Sequence, residues 1–313
     1  MVIKRLSRRS GRASYVEPEQ EPRLTERSNV VPELSKNERR EVTKRARPSA
    51  VVVHETVREE GERELRRSPF ALAMSALAAG LSMGFSLVTQ GLLYTYIPAP
   101  AWRPLLSNFG YSLGFLIVVL GRQQLFTENT ITVILPLLAH PDRRTFTRVA
   151  RLWAVVFCAN IVGAFIFAFI LAHTTIFPPP IQQAFGEVAG HSLRGDFGFT
   201  VMRGIFAGWL IALMVWLLPA TDGAKMNIII IITYIVALGG FAHIIAGSVD
   251  VLYLVNLGTV SWLTYLFGFM LPTLIGNVIG GCSLVAVLNF AQVAGEKLGV
   301  ETESGNGSGT LKS

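Results

Sequence analysis

The sequence predicts an all-α integral membrane protein of six transmembrane helices, arranged as two inverted three-helix repeats with broken second and fifth helices. Three observations predict it. Only 16% of the 313 residues are charged and 51% are hydrophobic, whereas a soluble domain carries roughly 25% charged residues. That charge is segregated, since 17 of the 28 basic and 12 of the 21 acidic side chains fall in residues 1–67. The rest of the chain holds six apolar stretches near the length of roughly 20 residues that crosses about 30 Å of hydrocarbon.

The elements follow in order. Residues 1–67 mix Arg and Lys with Glu, Pro and Ser, which favours a largely disordered tail. Within it, residues 51–67 are read either as an amphipathic helix on the membrane surface, with Val53, Val57 and Leu65 as its apolar positions, or as a solvated charged helix. The transmembrane domain spans 68–292, with repeats 68–172 and 198–292, and a tail follows over 293–313. The spans are expected at Phe70–Tyr94, Leu106–Leu138, Phe146–Ala172, Phe199–Leu218, Met226–Leu257 and Trp262–Phe290. The second and fifth are too long for one straight crossing and carry polar residues in the middle. Gly80, Gly84, Gly110, Gly114, Gly276, Gly280 and Gly281 recur at about one helical turn, as close helix packing in lipid requires. Trp102, Trp153 and Trp262 fall near span ends, where interfacial anchoring accounts for them.

Orientation comes from short-loop charge, because Lys and Arg stay on the cytoplasmic side. The segment after the second span carries Arg143, Arg144, Arg148 and Arg151, whereas the loops around Arg103 and Arg194 carry one arginine each. With six spans, both termini are then cytoplasmic. Three is odd, so the second half enters from the opposite side. Such inverted repeats put a permeation site at the midplane, where two broken helices meet.

The interruptions hold the chemistry. The first, GRQQLFTENTIT over 121–132, places Arg122, Gln123, Gln124, Thr127, Glu128, Asn129 and Thr130 at membrane depth, which is costly unless they face protein or water. Arg122 is expected either to line the pore or to pair with Glu128. The second, LGGFAHIIAGSVD over 238–250, offers His243 as a titratable ring, followed by Ser248 and Asp250. Helix N-termini created at such breaks attract anions. A soluble globule, a disulfide scaffold, a cleaved signal peptide and a nucleic-acid binder are all disfavoured. The cysteines, Cys158 and Cys282, lie in apolar stretches without metal-ligand spacing. No nucleotide loop or activated nucleophile marks an enzyme, and no cofactor is expected.

LFT at 125–127, GFAH at 240–243, RGI at 203–205 and IGNVIGG at 275–281 together resemble the formate/nitrite transporter family over about residues 68–292. The resemblance implies an aquaporin-like protomer within a homopentamer in a bacterial inner membrane, one pore per protomer, and small monovalent weak-acid anions as substrates. Leu125, Phe126 and Thr127 would form a loop at the cytoplasmic side of a central chamber. His243 would protonate or polarise the anion, with Asn277 as a hydrogen-bonding partner near it. Tyr111 and Phe115 match a cytoplasmic constriction, and Val236 a periplasmic one. Gln124 and Ala242 stand where the family commonly has Glu, Gly247 where it has Asn, and Gly208 replaces another common Asn. Ser192, with Arg194 beside it, stands where a lysine marks the periplasmic mouth. Two other readings of the same architecture are a channel for water or a small neutral solute and a closed-pore membrane scaffold.

Overall fold

The computed structural model describes residues 34–45, 48–98, 100–221 and 223–286. The expected C-terminal tail and residues 1–33 of the expected N-terminal tail lie outside them. The chain divides into two units, Met1–Ala46 and Arg47–Ser313. In the first, helix α1 (Lys36–Arg45) starts with a reciprocal cap: Glu38 N–H donates to Ser35 Oγ at 3.2 Å, and Ser35 N–H to Glu38 Oε2 at 2.8 Å.

Helices are the only regular secondary structure among the described residues of the second unit. Helix α2 spans Ala50–Arg66, α3 Pro69–Tyr96, α4 Arg103–Leu120, α5 Asn129–Ala139 and α6 Arg143–His173. After these come α7 (Pro179–Gly190), α8 (Phe197–Ala220), α9 (Lys225–Leu238), α10 (Ile244–Asn256) and α11 (Thr264–Ser283). Five of them, α3, α4, α6, α8 and α11, are long and apolar enough to cross a membrane. The apolar stretches expected at 106–138 and 226–257 each contain two helices, α4 with α5 and α9 with α10.

Caps explain why several helices begin before the apolar run does. Asp142 Oδ1 accepts the Thr145 N–H at 2.9 Å and starts α6 at Arg143, so the four arginines read as a loop occupy the first turns of a helix. Asp196 Oδ1 caps α8 in the same way at 2.8 Å. Helix α7 was not expected from the sequence. Its Ile181, Ala184, Phe185 and Val188 are buried against α3 and α10.

Long helices pair closely where glycine removes the side chain. Helix α3 packs along α6, and α8 along α11. A Cβ on Gly80 of α3 would lie 2.2 Å from the Asn160 carbonyl oxygen of α6, and one on Gly208 of α8 would lie 2.3 Å from that of Asn277 on α11. Backbones this close give dispersion contact that lipid cannot supply.

Helix α2 forms, but its stripe meets neither lipid nor water. Val53, Val57 and Leu65 are buried, and α2 packs on α5, α6 and α8. Val57 joins Ile131, Leu135, Ala212 and Val215 in one apolar cluster. Arg151 of α6 donates to the Leu65 and Arg67 carbonyls at 3.1 and 3.4 Å, closing the C-terminal end of α2. On the outer face Arg58 bridges Glu55 and Glu62, and Glu62 also takes a hydrogen bond from Arg66 at 2.7 Å. Burial pushes the Glu62 carboxyl up, but the Arg58 and Arg66 guanidinium groups outweigh it and leave its pKa below the ordinary 4.5.

Two outcomes follow for α2. Its contact hinges on Gly61, whose Cβ would fall 1.9 Å from the Thr132 carbonyl oxygen. Gly61→Leu should therefore lift α2 from the bundle, read as faster hydrogen exchange in α2 amides with α3 and α6 unchanged; unchanged α2 exchange would refute the packing. Because the folded pKa of Glu62 is depressed, its stabilisation is full above the ordinary 4.5 and is lost as pH falls through the lower folded value. Exchange in α2 should accelerate in that acidic window, and less so in Glu62→Gln.

Candidate functional site

Helix α4 ends where Gly121 and Gln123 donate their N–H groups back to Ile117 and Val118 at 2.9 Å. Arg122 turns the chain at φ 50 and is 77% exposed in its side chain. Its Nη2 lies 2.6 Å from Glu60 of α2. Of the two alternatives for Arg122, the pairing with Glu128 is not the one seen, because α2 brings a nearer carboxylate, and Arg122 lines the cavity beneath α2. Glu128 Oε1 is buried and accepts no hydrogen bond among the described residues. Trp153, read as an interfacial anchor, instead donates Nε1–H to the Asn129 carbonyl at 3.1 Å and braces this segment.

The loop crosses the bundle because Asn160 of α6 satisfies it. Asn160 Oδ1 accepts the Phe126 N–H at 2.9 Å, and Nδ2 donates to the carbonyls of Gln124 at 2.9 Å and Ala76 at 2.7 Å. Asn277 of α11 repeats the pattern on the second interruption. Its Oδ1 accepts the Ile244 N–H at 2.9 Å, and Nδ2 donates to the carbonyls of Ala242 at 2.8 Å and Gly204 at 2.9 Å. Both asparagines are fully buried. The two clamps equate Gln124 with Ala242, Phe126 with Ile244 and therefore Leu125 with His243. Asn277 accordingly holds the backbone on either side of His243 rather than its ring.

His243 is the N-cap of α10. Its Nδ1 accepts the Ala246 N–H at 3.2 Å, so the neutral ring carries its proton on Nε2. Nε2–H then donates to Thr127 Oγ1 at 2.8 Å, which joins the two loops and leaves the threonine hydroxyl hydrogen for another acceptor. Phe115 of α4 lies edge-on to the imidazole, with ring centroids 4.9 Å apart. His243, Thr127, Leu125 and Phe115 are all essentially inaccessible.

A cavity approaches this point from each end. One, of about 410 Å³, begins beneath α2, between Glu60, Arg122, Glu128 and Lys225, and reaches Gln124 and Leu125. The other, of about 520 Å³, is lined by Gln90, Tyr111, Val236, Arg194, Arg203 and Asp250 and reaches His243. Tyr111 and Val236 therefore share one cavity, which corrects their expected assignment to opposite ends. Helix α4 runs from that cavity towards α2, so its early residue Tyr111 falls on the same side as the end of α9. Arg194 lines this same cavity.

Two residues escaped the sequence reading. Asn160 was hidden in an apolar span, although it follows Phe126 at nearly the separation by which Asn277 follows Ile244. Arg203 was noted only within a string. It donates to the carbonyls of Gly240 at 2.5 Å, Arg194 at 2.7 Å and His191 at 3.4 Å, tying the second loop to the start of α8.

Removing either clamp strands two buried backbone groups of its loop, each costing about 1–3 kcal/mol. Asn160→Leu and Asn277→Leu should each lower the melting temperature strongly in detergent, more than Leu→Ala changes on the lipid-facing surface. A shift no larger than those controls would show the loops to be held by something else.

The formate/nitrite transporter family model matches residues 51–291, which includes α2. The inner membrane protein YfdC of Escherichia coli is 42% identical over 244 residues, covering 78% of this chain and 79% of that protein. A formate channel of Bacillus thuringiensis, BtFdhC, is 28% identical over 197 residues, 61% of this chain and 74% of its own. The fold is similar to a pentameric formate channel with formate bound, at TM-score 0.60 and 20% identity over 71% of this chain and 96% of that one. It is also similar to an FNT family ion channel, at TM-score 0.66 and 19% identity over 77% and 98%. Taken with its membrane-length helices and two clamped loops, these matches make the chain a membrane protein that belongs to the formate/nitrite transporter family.

Proposed function

We propose that this protein is a pore for small monovalent weak-acid anions such as formate or nitrite, one pore per protomer of a homopentamer. The observation that carries the reading is the Thr127–His243 hydrogen bond between two loops held by matching asparagine clamps. It favours six crossings in two inverted repeats, in which α4 with α5 and α9 with α10 act as broken second and fifth helices. At 1.5 Å per residue, α9 and α10 reach only about 20 Å each, so neither crosses about 30 Å of hydrocarbon alone. The arginine-rich start of α6 favours a cytoplasmic position for the α2 end and both termini, in a bacterial inner membrane.

An anion entering from the Arg203 end meets Arg194, Arg203 and the positive end of α10 before it meets His243. There the Thr127 hydroxyl is the free donor, and Nε2–H becomes a second one when it turns from Thr127 Oγ1 to the anion. Phe115 and Leu125 exclude water, so the anion sheds its hydration while these two groups replace part of it. Proton coupling through His243 requires a proton on Nδ1, which costs the Ala246 cap, a hydrogen bond worth about 0.5–1.5 kcal/mol net. Burial of the imidazolium adds to that cost, and an anion beside it offsets part of the addition as a counter-charge. The anion leaves as its neutral acid through the apolar segment at Leu125.

In proteoliposomes, His243→Ala should reduce formate and nitrite flux by roughly two orders of magnitude, the range of a lost general acid. Thr127→Val should reduce it less, because one donor remains. Wild-type flux should rise in mildly acidic relative to neutral buffer. Undiminished flux of every anion through His243→Ala would exclude the histidine from the mechanism. Protein-dependent osmotic swelling without anion flux would favour the neutral-solute channel instead.

A further inference from the structure

Gln124 precedes Leu125 in the chain and lies on the wall of the cavity beneath α2. It is only 8% exposed, and three of its four polar groups are engaged. Its backbone N–H donates to Ser75 Oγ at 3.1 Å, its carbonyl accepts from Asn160 Nδ2 at 2.9 Å, and its side-chain Oε1 accepts from Asn129 Nδ2 at 3.1 Å. Asn129 is turned that way because its own Oδ1 accepts the Thr132 hydroxyl at 3.2 Å. The Gln124 amide is therefore oriented, with its oxygen towards Asn129. Its Nε2 donates to no group among the described residues and is not sealed in protein, so its hydrogens open on the cavity.

The charges around this cavity do not replace such a donor. Arg63, Arg122 and Lys225 face Glu60, Glu64 and Glu128, which leaves no net charge. Arg122 is held by Glu60, Arg63 lies 3.7 Å from Glu59, and Lys225 stands exposed at the start of α9. An acid that has crossed Leu125 in neutral form must ionise here before it leaves as an anion. Its O–H bond breaks, the proton passes to water in the cavity, and the electron pair stays on the oxygen. An N–H aimed at that oxygen favours the charged product. The equivalent residue in the other clamped loop, Ala242, has no side-chain donor to offer.

We propose that Gln124 is a second substrate-binding residue, whose Nε2–H receives small weak-acid oxyanions such as formate and nitrite as they form on the α2 side of Leu125. Donors then stand on both sides of the apolar barrier, Thr127 and His243 before it and Gln124 after it. An ionised glutamate at this position would offer acceptors alone and oppose the same step. The inference rests on the reading of the protein as a weak-acid pore.

Formate flux in proteoliposomes holding the full-length protein tests it, with Gln124→Glu and Gln124→Met. Glutamate keeps the acceptor for Asn129 and loses the donor, whereas methionine loses both at similar volume. In neutral buffer each variant should pass formate about two- to tenfold more slowly than the wild type, the range of one neutral hydrogen bond. Acid restores a donor in Gln124→Glu alone, as the O–H of its protonated carboxyl. Flux through Gln124→Glu relative to wild type at the same pH should therefore climb in mildly acidic buffer, while the Gln124→Met ratio stays flat. Taking the ratio removes the titration of Glu60, Glu64, Glu128 and His243, which the proteins share; Arg63, Arg122 and Lys225 stay charged throughout.

Full neutral-pH flux in either variant overturns the proposal. So does a Gln124→Glu deficit that acid leaves unrelieved in a protein that elutes and melts like the wild type, since Gln124 would then only brace the loop. A Gln124→Met ratio that climbs in parallel overturns it as well, because no donor returns there. Absence of weak-acid flux in the wild type sinks the pore reading and this assignment together, whereas any of the other three results beside wild-type flux sinks the assignment alone.

Discussion

Unpaired backbone at bilayer depth is the constraint on which the rest of this structure depends. Each interruption exposes carbonyl and N–H groups where water is scarce, and each such group left alone costs about 1–3 kcal/mol. One asparagine per interruption answers two of them and ties the loop to a helix carbonyl, that of Ala76 or of Gly204. The amide suits the task because it combines an acceptor with two donor hydrogens on a short side chain. Aspartate would lack the donors, and leucine would satisfy nothing. The irregular segments are therefore held as firmly as the helices around them, which lets them present side chains to a pore.

The clamps impose their own packing rule. Asn160 reaches Ala76 and Asn277 reaches Gly204 across helix pairs, so those pairs must touch at backbone distance. Gly80 and Gly208 stand opposite the clamp residues for that reason, each too close to a carbonyl oxygen for any Cβ. The sequence spacing of small residues and the chemistry of the loops are thus one arrangement. A larger residue at Gly208 would push Asn277 away from the loop that carries His243.

Much of this was legible in the sequence, and what was not has identifiable causes. Apolar length located every membrane-length helix, and polar runs at 121–132 and 238–250 located both interruptions. Helix starts were missed by two or three residues at α6 and α8 because the aspartate caps stand outside the apolar pattern. The partner of Arg122, Glu60, was not foreseen because it is distant in sequence and belongs to a segment read as a tail. The single face of α2 looked like a lipid-binding stripe because composition alone does not tell protein from lipid as the covering surface. Tyr111 and Val236 were assigned to opposite ends although they share one cavity, because helix spacing gives a face and not a depth. Asn160 was passed over as a lone polar residue, although its relation to Asn277 becomes visible once the two loops are aligned.

The departure from symmetry is as informative as the symmetry. At equivalent places in the two clamped loops stand Leu125 and His243, one apolar and one a hydrogen-bond donor. Leu125 closes the cavity beneath α2, and His243 closes the cavity that holds Arg203. The cavity beneath α2 sets Arg122 and Lys225 beside Glu60 and Glu128, whereas the His243 side carries Arg194 and Arg203 with Asp250. An ion held there has donors behind it and an apolar residue ahead. Passage is then favoured for a species that can shed its charge at His243, since a persistent anion gains nothing at Leu125. On the proposed reading, two loops built alike, with one changed side chain at the centre, let the barrier select for weak acids.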